Sequence, residues 1–369
     1  MNWLDECIEA SGLLSFLHKN PKELYLYGAG ETAKITIQTL KLYFPDIKMG
    51  GVLDNDPGKD GNIQGVPIIF AEEIKNESNI KIMITTASPY QIYQDALRLG
   101  VQSEDIYLPR TTYIIDGTFM NNWVTGTVLY KRMIDIITHK EQIFRLYDML
   151  DTDISKEVLK HVVQFRLLLE PKLITQMCNS TNSDYWGDAP YDLSDNEALV
   201  DAGALYGDTS LEFLHRTNNR YDRIYLIEPD AWQLGRAMDL LFTFENRDKI
   251  SYFHMAICDY NGIGHMTNGV VGDKTGQAIR CVRLDDLLGD KRISLIKMDI
   301  EGMEIPALKG AAGIIAKQKP KLCICVYHRS EDLWEIPNLI MQIRNDYRFA
   351  LRQGSPGVYG DVQTVLYAY

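Results

Sequence analysis

The residues best suited to chemistry begin with a glycine-rich stretch that runs from Asp201 to Thr209 and reads DAGALYGDT. It follows an apolar run typical of a buried strand and precedes a predicted helix. Gly203 and Gly207 permit tight turning and close backbone approach, so N–H groups at the start of the helix can face an anionic group, such as the carboxylate of an amino-acid-bearing cofactor. The alternative is that both glycines only let the helix pack on the sheet.

Glu228 ends the next predicted strand, within the sequence IYLIEPD. A carboxylate at a strand end can accept hydrogen bonds from both hydroxyls of a ribose. A glycine turn and an acidic strand end on consecutive strands indicate a nucleoside site more specifically than either feature alone. We therefore prefer this interpretation to a purely structural role.

A further pair of carboxylates lies in KMDIEGME, residues 297–304. Asp299 is predicted to end a strand and to face the cleft, with Glu301 close by. A hydroxyl group that acts as a nucleophile must lose its proton, and a carboxylate within hydrogen-bond reach favours that step. Both residues could instead cap the next helix or supply oxygen ligands to a metal ion, and we expect a site without metal.

His328 ends the strand that follows and is predicted to lie across the cleft from Asp299. Its imidazole titrates near neutrality, which makes it another candidate for proton removal. A strand-end histidine is also common as a structural residue. Only its predicted position opposite the nucleoside pocket favours catalysis.

Five apolar strands are predicted to position these side chains in the C-terminal half. They lie in ALVDAGALYGD (198–208), IYLIEPD (224–230), ISYFHMAICD (250–259), ISLIKMDIEG (293–302) and KLCICVYH (321–328). The glycine-rich segment from Asn261 to Arg280 is predicted to form a hairpin or mobile loop, and QTVLYAY (363–369) an antiparallel edge strand. Strands that alternate with helices predict an α/β fold with a doubly wound sheet, whose ligands bind beyond the carboxyl ends of the strands.

The N-terminal block shows the same alternation of strands and helices. Its first strand, Glu23 to Tyr27, leads into Gly28-x-Gly30-x-x-Ala33, and a second strand over 49–53 precedes Asp54. This spacing is similar to the dinucleotide fingerprint and predicts a nucleotide-type ligand at Gly28, Gly30 and Asp54. It does not decide between a nicotinamide cofactor and a nucleotide sugar, and a domain without ligand is the other interpretation. The further predicted elements are helices over 32–43 and 89–99 and strands over 82–86 and near 106.

Residues from about Asn121 to Met177 have apolar side chains spaced by three to four positions, which predicts two or three helices between the blocks. We interpret these helices as a packed linker, with a lid or a homodimer contact as the alternatives. The expected fold is thus two doubly wound Rossmann-like domains joined by a helical segment.

The composition restricts the partners of the 369-residue chain. Its net charge of −12 disfavours nucleic acid and anionic lipid. The six cysteines have no Cys-x-x-Cys spacing, so buried, reduced thiols are expected. The N-terminal segment has neither the basic start nor the apolar run of a secretory signal, and no later run has membrane-spanning length, so a cytoplasmic, soluble protein is expected.

Taken together, the C-terminal motifs resemble the FkbM-type methyltransferase family. The resemblance covers about residues 185–369 and rests on VDAGALYGDTS, IYLIEPD, VRLDDLL, IKMDIEGMEIPALKGA and CVYHRSEDLWEIP, which occur in that order. It implies transfer of a methyl group from S-adenosylmethionine to a hydroxyl, in this family often on a sugar or polyketide-type product.

The residue patterns and the resemblance together give a set of predicted site residues. The predicted cofactor contacts are Asp201, Gly203, Gly207, Asp208, Thr209, Glu228 and Asp259. The predicted catalytic residues are Asp299, His328 and Glu301. One departure from the family is Gln353, where close relatives tend to have the histidine of a Leu-Arg-His triplet, so we expect the acceptor pocket to differ there.

The N-terminal block is similar to the small Rossmann module that precedes sugar acyltransferases in glycan-building pathways. YGAGETAK (27–34) and GVLDNDPGKDGNIQGVPII (51–69) carry the similarity, which implies binding of a nucleotide-activated sugar. We expect a nucleotide or nucleotide-sugar-binding module over residues 1–115, a helical linker over 116–184 and a methyltransferase domain over 185–369, acting in polysaccharide biosynthesis. The alternatives are a non-catalytic nucleotide-sugar-binding protein and an NAD(P)-dependent oxidoreductase.

Overall fold

Two separate sheets, both mainly parallel, organise the chain. The computed structural model describes residues 2–19, 22–86, 89–108, 114–115, 118–119, 123–168, 173, 176–177, 183, 185–267, 269–272, 275–354 and 363–369. The chain divides into two compact units. The first consists of Met1–Glu141, Lys160–Gln176 and Gly357–Asp361, and the second of Gln142–Leu159, Met177–Pro356 and Val362–Tyr369.

The N-terminal unit is built around a six-stranded sheet of order β3-β4-β2-β1-β5-β6. All neighbouring pairs are parallel except β3 and β4. Strand β5 is buried along its whole length, as its mainly apolar sequence IKIMI favours. The elements are α1 (Trp3–Ser11), α2 (Leu13–His18), β1 (Glu23–Tyr27), α3 (Glu31–Tyr43), β2 (Met49–Asp54), β3 (Asn62–Ile63), β4 (Val66–Phe70), β5 (Ile80–Ile84), α4 (Pro89–Arg98), β6 (Ile106–Tyr107), β7 (Ile114–Ile115) and β8 (Thr118–Phe119).

The strands and helices predicted for this block are confirmed within a few residues, but the hairpin of β3 and β4 was not predicted. Gln64 and Gly65 form its turn, both with positive φ, at 54° and 79°. A two-residue turn of that kind matches the twist of antiparallel strands. Pro67 concealed β4, because a proline in a short apolar run argues against a strand.

Helices follow the first sheet, as predicted from the apolar spacing. They are α5 (Trp123–Thr138), α6 (Lys140–Met149) and α7 (Asp153–Leu168). Their buried side chains, among them Ile143, Leu146 and Val162, recur every three to four residues. An amphipathic helix of this kind gains its stability mainly from packing of its apolar face.

The C-terminal unit contains a seven-stranded sheet and a smaller four-stranded sheet. The large sheet has the order β11-β10-β9-β16-β17-β19-β18, in which only β19 pairs antiparallel with its neighbours. The elements are β9 (Ala198–Ala202), α8 (Asp208–Arg216), β10 (Arg223–Ile227), α9 (Ala231–Leu241), β11 (Ile250–Phe253), β12 (Ala256–Ile257), β13 (Gly262–Thr267), β14 (Val270–Gly272), β15 (Gln277–Val282), α10 (Leu284–Leu288), β16 (Leu295–Met298), α11 (Glu304–Gly310), α12 (Ala312–Gln318), β17 (Lys321–Cys325), α13 (Asp332–Ile343), β18 (Phe349–Gln353) and β19 (Thr364–Ala368).

Two predictions for this unit were wrong in detail. Strand β19 is antiparallel as predicted, but it is an inner strand, because β18 pairs along its outer side and forms the edge. The stretch ISYFHMAICD is two strands rather than one. Strand β11 ends the large sheet, whereas β12 pairs with β15 in the small sheet, which also contains the hairpin predicted for the glycine-rich segment.

The predicted α/β fold with parallel sheets is therefore confirmed. Cysteines 7, 258, 281, 323 and 325 are buried free thiols, as expected, and Cys178 lies outside the described residues. Within the described ranges, no helix combines the length and apolar character needed to cross a membrane.

Candidate active site

The turn between β9 and α8 depends on two glycines in the left-handed region. Gly203 has a φ of +73°, and a Cβ built on it would lie 1.8 Å from the carbonyl oxygen of Asp299. Gly207 has a φ of +82°, and its Cβ would lie 3.0 Å from the Cβ of Ala237. Gly203 thus brings the turn against the Asp299 loop, whereas Gly207 lets α8 approach α9.

Glu228 lies at the carboxyl end of β10 and is 5% exposed. Its carboxylate accepts hydrogen bonds from the backbone N–H of Leu205 at 2.9 Å and of Asp230 at 2.8 Å. Burial raises the pKa of Glu228 above its usual range, although both N–H groups and the Lys297 ammonium act against the rise. The glycine turn and the acidic strand end are therefore adjacent, as the sequence predicted.

A cavity of about 320 Å³ opens beside this turn. Its volume falls in the range of about 300–1,000 Å³ that is typical of small-molecule sites. The lining contains both carboxylates and apolar side chains, which suits a ligand with both polar and aromatic parts. The lining residues are Ala202, Gly203, Leu205, Ile227, Glu228, Pro229, Asp230, Gln233, Met255, Ala256, Ile257, Gly269, Val271, Asp299, Ile300, Glu301 and Met303.

A buried ion pair supports the turn. The Lys297 ammonium donates to the carbonyl oxygen of Gly203 at 2.7 Å and lies 3.1 Å from the carboxylate of Asp201, which also accepts a hydrogen bond from Ser210 at 2.7 Å. Burial lowers the pKa of Lys297, but Asp201 and Asp299 outweigh burial and raise it above its usual value. Lys297 therefore stays charged and fixes Gly203 in place. The sequence analysis missed it, although a lysine in the apolar run LIKM is a detectable signal.

Asp299 is held by two tyrosines. The hydroxyl of Tyr185 donates to one carboxylate oxygen at 2.6 Å, and that of Tyr327 donates to the other at 3.0 Å. Burial raises the pKa of Asp299, but Lys297, His328 and both hydroxyls outweigh it and lower the pKa below its usual range. Asp299 is thus an ionised, fixed hydrogen-bond acceptor at the cavity wall. Tyr185 lies in a segment without a motif, so sequence reasoning did not find it.

His328 lies beyond the end of β17 among three carboxylates. Its Nδ1 is 2.9 Å from Glu304, and its Nε2 is 3.3 Å from Asp299 and 3.6 Å from Glu301. Burial lowers the pKa of His328, but the three carboxylates outweigh burial and raise it to about 9. The imidazole is largely buried and is not among the residues that line the cavity.

Two further acids surround this histidine, and the sequence analysis missed both. Glu304 begins α11, is fully buried, and accepts a hydrogen bond from the backbone N–H of Ile300 at 2.9 Å. Asp332 is also buried and accepts from the backbone N–H of Arg329 at 2.8 Å. Burial, with the negative charge of Glu304, raises the pKa of Asp332 to about 7. The region around His328 therefore carries an excess of acidic groups.

The predicted site residues fall into two sets. Those that line the cavity are Gly203, Glu228, Asp299 and Glu301. Those that lie outside its lining are Asp201, Gly207, Asp208, Thr209, Asp259 and His328. Asp208 and Thr209 begin α8, and the Thr209 carbonyl accepts from the indole of Trp186 at 3.0 Å. Asp259 follows β12 and is exposed.

Gln353 lies in the edge strand β18, with only 1% of its surface exposed. Its side-chain oxygen accepts a hydrogen bond from the hydroxyl of Thr364 at 2.8 Å. The residue is not among those that line the cavity. The predicted effect of this position on the acceptor pocket stays a prediction.

The N-terminal unit repeats the local arrangement of a glycine turn and an acidic strand end. Gly28 has a φ of +115°, and a Cβ on it would lie 2.9 Å from the Cβ of Thr86, whereas the space around Gly30 is open. Asp54 accepts a hydrogen bond from the backbone N–H of Ala29 at 3.1 Å and pairs with Lys59. The nucleotide site predicted at Gly28, Gly30 and Asp54 stays a prediction.

The comparison with protein families decides what the C-terminal unit is. Residues 201–350 match the model of the methyltransferase FkbM domain. The chain carries an FkbM methyltransferase domain. The matched range includes the glycine turn, Glu228, the Asp299 loop and His328, so the cavity described above belongs to the FkbM domain. No curated protein sequence matches the chain.

Solved structures resemble this chain to different degrees. Methyltransferase FkbM from Methylobacillus flagellatus KT has a TM-score of 0.60 and 23% identity, over 99% of this chain and 99% of that chain. The likeness shows that the fold is shared over nearly the whole length. An rRNA methylase from Streptococcus thermophilus has a TM-score of 0.31 and 14% identity, over 48% of this chain and 87% of that chain. M. capricolum TrmK in complex with S-adenosyl-homocysteine has a TM-score of 0.28 and 13% identity, over 48% of this chain and 62% of that chain.

Proposed function

We propose that the FkbM domain transfers a methyl group from S-adenosylmethionine to a hydroxyl of a sugar or of a related small-molecule or glycan acceptor. The observation that carries the proposal is the cavity that the Gly203 turn and Glu228 line together. The acceptor is not a nucleic acid, because the net charge of −12 repels phosphate backbones. The reaction belongs to polysaccharide biosynthesis in the cytoplasm.

The cavity fits the cofactor by its chemistry. Each oxygen of Glu228 uses one lone pair for a backbone N–H and keeps another for a ribose hydroxyl. Ile227, Met255 and Ile257 give an apolar wall for an adenine ring. When bound, S-adenosylmethionine supplies an electrophilic methyl group on a sulfonium leaving group. The main task of the chain is then to position the acceptor oxygen.

Two carboxylates face the acceptor side of the cavity and have different roles. Asp299 is fixed by Tyr185 and Tyr327, so it orients the acceptor hydroxyl by accepting its hydrogen bond. Glu301 lines the cavity and has a side chain that is 59% exposed, so it can take the proton and pass it to solvent. His328 does not line the cavity, so we assign it a supporting role rather than contact with the acceptor.

Calorimetric titration with S-adenosylhomocysteine tests the cofactor assignment. Hydrogen bonds to a charged group contribute about 1.5–3 kcal/mol, so Glu228→Ala is expected to weaken binding by about 10- to 100-fold. Glu245→Ala removes an exposed glutamate of the same unit and serves as the control. Undiminished affinity in Glu228→Ala contradicts the assignment. NADH binding by the wild type without S-adenosylhomocysteine binding would favour an oxidoreductase instead.

Methyl transfer to a panel of sugars and nucleotide sugars tests the reaction. Loss of a general base costs about 10²- to 10⁴-fold in rate, so Glu301→Gln is expected to lower kcat by that factor with S-adenosylhomocysteine affinity unchanged. A wild type that binds the cofactor and methylates no acceptor would identify a non-catalytic binding protein.

A further inference from the structure

Three side chains next to the cavity bring ligand atoms to one place. Asp299, Glu304 and His328 can each offer one atom, and these atoms all lie within 4.8 Å of one another. Metal–oxygen bonds of about 2.1 Å put atoms on opposite sides of an ion about 4.2 Å apart. Small side-chain movements therefore suffice to bring the three atoms into one coordination sphere.

Two of these three side chains, Glu304 and His328, also have buried polar atoms without hydrogen-bond partners. Glu304 Oε2 and both ring nitrogens of His328 are buried, and in the described part of the chain they make no hydrogen bond. His328 Nδ1 lies only 2.9 Å from Glu304, yet the contact does not have hydrogen-bond alignment. A buried polar atom that stays unsatisfied destabilises the folded chain. One ring nitrogen of a neutral imidazole carries a lone pair, so His328 can bind a cation together with the Glu304 carboxylate.

The electrostatics of the cluster favour a cation as well. Glu301 lies 3.6 Å from His328, and Asp332 is a buried acid near Glu304. The buried Lys297 is already paired with Asp201. Several carboxylates thus lie around His328, and an excess of buried negative charge is costly without further positive charge.

We infer that Asp299, Glu304 and His328 bind a divalent cation of the Mg²⁺ and Mn²⁺ class. Carboxylate oxygens suit both ions, and the single imidazole favours Mn²⁺. The sequence analysis expected no metal and considered only Asp299 and Glu301 as ligands. The buried Glu304 replaces Glu301 in that set, which leaves Glu301 free to face the cavity. The inference goes beyond methyl transfer and does not depend on it.

Manganese binding to the full chain tests this site directly. Protein dialysed against a chelator is titrated with MnCl₂, and free Mn²⁺ is followed by its electron paramagnetic resonance signal in the absence of any cofactor or acceptor. One Mn²⁺ per chain is expected, with competition by Mg²⁺. Glu304→Gln and His328→Gln are each expected to weaken binding at least 10-fold, because even residues that only orient ligands contribute about 10- to 100-fold.

The control is Glu245→Gln, which changes an exposed glutamate and is expected to bind Mn²⁺ as the wild type does. A second readout is the Tm, which a given Mn²⁺ concentration should raise more in the wild type than in His328→Gln. If Glu304→Gln does not fold, the Mn²⁺ affinities of His328→Gln and of the wild type decide whether the site exists. A wild type that binds no Mn²⁺, or a folded variant with wild-type affinity, overturns the proposal. The Mn²⁺ titration contains no cofactor. A negative result in it therefore does not affect the S-adenosylhomocysteine titration, which tests the proposed methyl transfer separately.

Discussion

Gly203 lies where two segments of the candidate active site meet, and the contact is possible because glycine has no side chain. The carbonyl oxygen of Asp299 occupies the space where a Cβ would lie, and the Lys297 ammonium binds the carbonyl oxygen of Gly203. The Gly203 turn and the Asp299 loop are thus in direct backbone contact. A change at this residue disturbs both at once.

We expect Gly203→Ala to lower the free energy of unfolding by at least about 2 kcal/mol, because a left-handed backbone is unfavourable for alanine and the backbone contact must open. Urea denaturation measures the effect. Gly235→Ala is the matched control, since Gly235 lies in α9 and a Cβ on it meets nothing within 4 Å. Gly235→Ala should raise the free energy of unfolding by about 0.5–1 kcal/mol. Equal stability of the two variants would contradict the proposed contact.

At the scale of elements, the VRLDDLL motif has a structural role. Asp285 on α10 accepts hydrogen bonds from the backbone N–H groups of Gly313 and Ile314 at the start of α12, each at 2.8 Å. Ala311 precedes α12 and has no polar side chain with which to cap it. One helix thus caps another. Gly313 leaves room for the carboxylate, because a Cβ at that position would lie 3.0 Å from one of its oxygens.

Asp285→Ala is expected to destabilise the FkbM domain by about 2 kcal/mol, since two N–H groups at a helix start lose a charged partner. The shift in the midpoint of urea unfolding measures this loss of stability. Asp290→Ala removes an exposed aspartate and should change stability by less than about 0.5 kcal/mol. A midpoint in Asp285→Ala equal to that of the control would exclude the capping role.

At the scale of the whole molecule, each of the two units carries a glycine turn tied to the acidic end of the next strand. Asp54 accepts from Ala29 in the N-terminal unit, and Glu228 accepts from Leu205 in the FkbM domain. The shared geometry supports a separate nucleotide-type ligand for each unit. The turn residues differ, however, because Gly30 faces open space whereas Gly203 contacts the backbone of Asp299.

A pair of variants tests whether the two sites are independent. Asp54→Ala is expected to weaken binding of a nucleotide sugar such as a UDP-hexose at least 10-fold and to leave S-adenosylhomocysteine affinity unchanged. Glu228→Ala is expected to weaken S-adenosylhomocysteine binding and to leave the affinity for the nucleotide sugar unchanged. Calorimetry with both ligands on both variants gives the answer, and each variant serves as the control for the other. Wild-type protein without affinity for any nucleotide sugar would identify the N-terminal unit as ligand-free.

Local sequence patterns were sufficient for those features that depend on neighbours along the chain. The strand from Glu23 to Tyr27 and the turn at Gly203 follow from apolar runs and glycines in a few consecutive residues. The adjacency of Gly203 and Glu228 followed as well, because consecutive parallel strands end at the same edge of a sheet.

Only the tertiary structure decided the features that depend on distant residues. Strand β18 makes β19 an inner strand, and Tyr185 fixes Asp299 across 114 positions. Glu304 and His328 meet only because α11 and the end of β17 pack together. Burial and pairing between residues far apart in the sequence set the charge of each group, so local spacing could not reveal the acidic cluster around His328.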